Sequence, residues 1–337
     1  FDIVTLDRVR KISIQADTDI WLEYAGEKGI HGAILSYLSL KKENFYMVEN
    51  TVDGKFFVTA RGWEDLSEIL KSYEELQVEI GEELIGEFLQ KEEIARDFAG
   101  YYRLYEKYKS DYQIQEILDG NVTTGQLKTC CDMGKKASFE ERFTVTEMLL
   151  EAVTERISSF QKTDEKTEKL YRNLKLLKVF LQEKNSVEAM EQFVASRRKA
   201  LDAKICSELL TAEEAAREEE QIRILEEYFF QLKELHISDV AEGIEQIGER
   251  FGNVCRLRNE KLEETKKMLE QAFSFLEECF GEGQELLLFE TGLTGDDRCS
   301  IFISQYGCPS YFKHCELLLY SKKENELRKE CRDLLEE

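Results

Sequence analysis

The segment VTARGWEDLSEIL (58–70) holds the arrangement best suited to chemistry. Thr59 can serve as a helix N-cap, which puts Arg61 in the first turn and Trp63, Leu66 and Leu70 on one apolar face. A cation in a first turn opposes the helix dipole, at a cost of roughly a few tenths of a kcal/mol unless an anion compensates. Phosphate is such an anion, since helix N-termini and arginine both favour it. The plain alternative is a solvated surface arginine. Cys299, Cys308 and Cys315, beside His314, have residue types that bind zinc. They lack a Cys-x2-Cys knuckle and four well-spaced ligands, so buried or idle thiols are expected and no metal site is predicted. His31, His236 and His314 lie far apart, and none has an evident nucleophile with a third orienting group, which argues against a hydrolase.

The surrounding chain narrows the choices further. Its 337 residues carry a net charge of −23, which disfavours binding to nucleic acid or to an anionic membrane surface. A hydrophobic fraction of 42% supports folded domains, and a single proline in this length points to a chain built almost wholly of helices. Nine scattered cysteines do not form a disulfide framework, so reduced thiols in a cytoplasmic protein are expected. No apolar run reaches the ~18 residues that a membrane span requires.

Several elements must position Arg61. Asp17 or Thr18 can cap a helix with Ile20, Trp21, Tyr24 and Ala25 on its apolar side, ending near Gly26 and Gly29. A second helix is predicted over about 31–40, with Ile34, Leu35 and Leu38 buried. Residues 45–48 and 56–59, flanking Asp53-Gly54, read as a short β-hairpin. Trp63, Leu66, Leu70 and Tyr73 then recur at helical spacing, followed by Ile80, Leu84, Ile85, Phe88 and Leu89. A tyrosine-rich helix is predicted over 94–117, where Tyr101–Tyr112 reads as packing or as a binding face. The turn formers of 119–125 mark a boundary. Long amphipathic helices are expected at 138–161, 165–183, 186–209, 211–235 and 238–280, the last with a coiled-coil-like seam whose phase shifts near 256–258. Glu213, Glu214 and Glu218–Glu220 form an acidic helix start, either a solvated face or a docking surface for a basic partner. Leu286–Phe289, Ile301–Ile303 and Leu317–Tyr320 are expected to form a compact C-terminal element at 284–337.

WLEYAGEKGIHGAILSYLSLKKENFYMVE followed by VTARGWEDLSEIL resembles the lid subdomain of MoxR-type AAA+ ATPases. The matching steps are Trp21, Ala25, Ile30, His31, Thr59, Arg61, Trp63 and Glu64, whereas Gly32 and Ala60 stand where that family commonly has proline. The resemblance spans residues 1 to about 118. It implies a remnant of the ATPase core at 1–12, a helical lid at 13–118 and a helical-bundle or helical-hairpin extension over 119–337. It gives Arg61 the role of a sensor arginine reaching the γ-phosphate of ATP. It also makes Arg8 a finger acting in trans on a neighbouring subunit, with Arg10 as rival and a charged strand edge as the plain alternative.

The resemblance further implies ATP and magnesium in the intact protein, which would be a ring-forming, chaperone-type machine of bacterial kind. Its partners would be its own ATPase core, neighbouring subunits and a von Willebrand A domain protein, with no nucleic acid and no membrane. The sequence contains no G-x-x-x-x-G-K-[ST], and no apolar strand ending in Asp-Glu. A C-terminal piece of a longer ATPase, inactive alone, is therefore expected. The fold class that follows is mainly α, with one small β-hairpin. The rival reading is a non-enzymatic helical scaffold or interaction protein with a degenerate lid.

Overall fold

A computed structural model describes residues 15–51, 54–181 and 185–318. It is mainly helical with a two-stranded antiparallel sheet. The elements in order are α1 (Thr18–Lys28), α2 (Gly32–Leu40), β1 (Met47–Thr51), β2 (Gly54–Val58), α3 (Ala60–Glu75), α4 (Glu82–Phe88), α5 (Glu92–Tyr112), α6 (Ile114–Asp119) and α7 (Thr124–Gly134). There follow α8 (Phe139–Phe180), α9 (Ser186–Cys206), α10 (Ala212–Glu234), α11 (Val240–Phe280), α12 (Gln284–Gly295), α13 (Asp297–Tyr306) and α14 (Pro309–Leu318). Among the described residues no helix is long and apolar enough to cross a membrane. The chain divides into two compact units, 1–151 with 274–289, and 152–273 with 290–337. These limits do not coincide with the boundary read at 119–125.

In the first unit, the caps follow local chemistry. The Asp17 carboxylate accepts from the Asp19 and Ile20 N–H groups and starts α1, and Gly29 ends it in the left-handed conformation at φ 71°. The hairpin pairs Met47 with Val58 and Glu49 with Phe56, so its strands lie slightly inside the expected 45–48 and 56–59. Trp63, Tyr37 and Phe98 form the centre of the core, with ring centroids 5.1–5.8 Å apart, and Leu66, Leu70, Ile34 and Leu38 are fully buried with them. The helix predicted over 94–117 is in fact two. Gln113 takes the left-handed conformation (φ 51°) between α5 and α6, which keeps Tyr112, Ile114 and Ile117 all buried. Helix α7 was not anticipated from periodicity. Its signal is the capping box of Thr123 with Gln126, in which each side chain bonds the other residue's N–H.

In the second unit, Leu170, Leu177, Met190, Phe193, Leu225, Tyr228 and Ile247 belong to one apolar cluster drawn from α8, α9, α10 and the start of α11. The two helices expected at 138–161 and 165–183 are continuous as α8. Nothing in 162–164 breaks it: Thr163 and Thr167 bond back to carbonyls four residues earlier. Of the seam on α11, Ile247, Leu269 and Phe273 are buried whereas Ile244 stays exposed. Of the C-terminal element expected at 284–337, the described part forms α12, α13 and α14, with Phe289 buried in the first unit and Phe302 and Ile303 in the second, while residues 319–337, including Leu319 and Tyr320, lie outside the described residues.

Candidate functional site

Thr59, in extended conformation, caps α3 by accepting the Gly62 N–H on its hydroxyl. The first turn of α3 contains no acidic residue. Arg61 sits in that turn with its side chain 89% exposed, and its Nε lies 3.5 Å from Asp65, one turn on. Trp63 points the opposite way. It is fully buried and donates its indole N–H to the Phe45 carbonyl at 3.0 Å, while Trp21 lies against the Phe45 ring at 4.9 Å. Thus two of the resembling segments converge on Phe45. Glu64 pairs with Lys28 at 2.6 Å and ties α3 to the end of α1. Gly62 is required by a close approach, since a Cβ there would meet the Phe88 carbonyl oxygen at 2.8 Å.

His31 is buried and caps α2: its Nδ1 accepts the Ala33 N–H, and its own N–H is received by Ser67. On its other side the ring meets Glu74, with Nε2 2.8 Å from Oε1. Burial disfavours the charged form of Glu74. The His31 hydrogen bond, the Lys109 ammonium and the Tyr102 hydroxyl outweigh it and hold this carboxyl well below its usual range. The tyrosine run is packed and tethered. Tyr101 reaches Ser36 and Thr144, Tyr105 reaches Glu151, and Tyr112 reaches Glu141. Near Tyr101, burial and then the neighbouring Glu151 push the Glu147 carboxyl up to about 7.

The second unit separates the other candidates. Cys299 is fully buried beside Thr154, Cys308 donates to Glu270, and His314 stacks on Phe273 at 5.9 Å. Among the described residues no group of three metal-capable side chains forms, and every cysteine is a free thiol. The acidic start of α10 is used internally: Glu218 pairs with Lys204, Glu219 with Arg198 and Glu220 with Lys166. Sequence reasoning did not find the bond network of Arg258, Asp164 and Tyr306, whose only sequence signal is an arginine inside an apolar seam.

Arg8 and Arg10 lie outside the described residues. The fit to ATP therefore concerns Arg61 alone. An exposed guanidinium at a helix N-terminus suits a phosphate oxygen, in competition with Asp65 one turn on. The described residues offer no cluster of carboxylates suited to magnesium. No family model, no curated protein and no solved structure matches this chain.

Proposed function

We propose that this chain is part of a MoxR-like AAA+ ATPase, with residues 13–118 as its nucleotide-sensing lid and 119–337 as a helical partner-binding or assembly extension. Arg61 is the γ-phosphate sensor in this reading. The observation that carries it is the division of labour on α3: Trp63, Leu66 and Leu70 anchor the helix in the core, while the Arg61 side chain is 89% exposed at its start. A guanidinium delivered this way binds and orients a phosphate without altering the packing beneath it. In the intact protein ATP and magnesium would be held by the ATPase core, with Arg8 acting on the neighbouring subunit. Hydrolysis in a ring would drive remodelling of partner proteins, including one with a von Willebrand A domain.

The test uses the protein that joins this chain to a phosphate-binding loop in the same reading frame. Arg61→Ala should lower ATP hydrolysis about 10³-fold, and Arg61→Lys should recover only part of it. The parental rate in Arg61→Ala would remove the sensor role. A second reading, a helical scaffold with a degenerate lid, is favoured by the Arg61–Asp65 pair, which suits an ordinary surface arginine. A reading frame without the phosphate-binding loop would select it.

A further inference from the structure

In the second unit, the stretch of α8 from Lys169 to Leu181 contains four cations and no acidic residue, in a chain of net charge −23. Leu170, Leu177 and Leu181 are buried and Leu174 packs beside them, at spacings of four, three and four residues. That seam fixes the rotation of the helix. Arg172, Lys175, Lys178, Leu176 and Val179 are therefore turned outward, with Leu176 49% and Val179 64% exposed. Lys175 lies over the Tyr171 ring, and among the described residues neither it nor Lys178 has an acidic partner. Among the described residues Arg172 pairs with Glu168 on the same helix alone, both largely exposed.

We propose that this outward face, Arg172, Lys175, Leu176, Lys178 and Val179, docks an acidic amphipathic helix of a partner protein. Charge complementarity selects the sign of the occupant. The interleaved leucine and valine select a partner with its own apolar stripe, which a phosphate backbone lacks. The face is also short, with the eight residues from Arg172 to Val179 spanning about 12 Å of helix. A short acidic helix meets the cations alone, whereas a nucleic acid or an anionic membrane extends beyond them and is opposed by the chain's net charge of −23. The inference does not depend on the role of Arg61.

The experiment titrates the whole chain into a dye-labelled amphipathic peptide of three Glu-Leu-Ala-Glu-Leu-Leu-Glu heptads, read by fluorescence anisotropy. Binding is expected, weakening as salt is raised. The double variant Lys175→Glu with Lys178→Glu and the double variant Leu176→Ser with Val179→Ser should each weaken it about tenfold or more. A scrambled peptide of the same composition should also bind about tenfold less tightly, since its stripe is gone. All these side chains are exposed, so circular dichroism should stay unchanged in the variants. Equal binding by the variants, no binding below about 100 μM, or tighter binding to single-stranded DNA or phosphatidylserine vesicles overturns the proposal. So does a parental dimer in sedimentation that the Leu176/Val179 variant converts to monomer, because the occupant would then be a second copy.

Discussion

His31 and Glu74 meet at 2.8 Å through Nε2 and Oε1, and the opposite ring nitrogen of His31 caps α2. One side chain thereby starts a helix and satisfies a carboxylate from α3. His31→Ala removes both interactions and should cost about 2–3 kcal/mol, whereas His31→Asn restores the cap and should recover about 1 kcal/mol of that. Urea denaturation of both variants separates the two roles. Equal losses would mean the cap contributes nothing.

The depressed pKa of Glu74 makes a separate prediction about acid. A carboxyl held below its unfolded value contributes stability that is complete above about pH 4.5 and lost as the pH falls through the folded value. The stability gap between parent and Glu74→Gln should therefore be constant from pH 5 to 7 and shrink below about pH 4.5. A gap independent of pH down to the acid transition would show that Glu74 is not held as a carboxylate.

Glu147 behaves in the opposite sense. Its folded pKa is raised from 4.5 to about 7, so the folded state binds more protons than the unfolded one between those values. Stability is then lost as the pH rises through that window. Glu147→Gln should match the parent near pH 4.5 and exceed it at pH 8 by about 1–3 kcal/mol, the lower figure allowing for solvent screening. Thermal melts at the two pH values decide it, and no gain at pH 8 would sink it.

The division of labour on α3 is legible in the sequence, because Thr59 and the spacing of Trp63, Leu66 and Leu70 are local signals. Asp17 and Gly29 were legible for the same reason. His31 was not seen as a cap, since histidine is an uncommon one and its second partner, Glu74, is distant in sequence. Gln113 was missed because the left-handed turn there is imposed by burying residues on both sides of it. Periodicity leaves the tyrosines of α5 open between packing and a binding face, because their hydroxyl partners come from the distant α2, α3 and α8. For Arg61, spacing and structure agree on exposure, and neither by itself supplies the ligand.

Trp63 and Gly62 test that local reading by stability alone. Trp63→Ala should cost about 3–5 kcal/mol, and Arg61→Ala should change stability by less than about 0.5 kcal/mol. Gly62→Ala would ordinarily gain helix propensity, yet its Cβ would press on the Phe88 carbonyl, so a loss is expected. A more stable Gly62→Ala variant would show that the contact between α3 and the end of α4 yields easily.

The last prediction concerns Arg258, whose guanidinium closes a ring of bonds in the second unit. Its Nε donates to Asp164 Oδ1 at 2.7 Å, one terminal nitrogen donates to the Tyr306 hydroxyl at 2.7 Å, and that hydroxyl donates to Asp164 Oδ2 at 3.2 Å. The same group lies 5.2 Å from the Phe160 ring centroid and 5.5 Å from that of Tyr306. The Arg258 side chain is only 20% exposed, so its charges are screened far less than those of a surface pair such as Arg172–Glu168. Arg258→Ala should cost about 2–3 kcal/mol, since it strands Asp164 and Tyr306 and removes a cation from two rings. Lysine cannot span both acceptors from one atom, so Arg258→Lys should recover less than half. A double-mutant cycle with Asp164→Ala should give a coupling of about 1–2 kcal/mol that survives high salt, whereas the Arg172–Glu168 coupling should be about 0.5 kcal/mol and vanish there. If lysine restores parental stability, the charge alone suffices and the forked geometry contributes nothing.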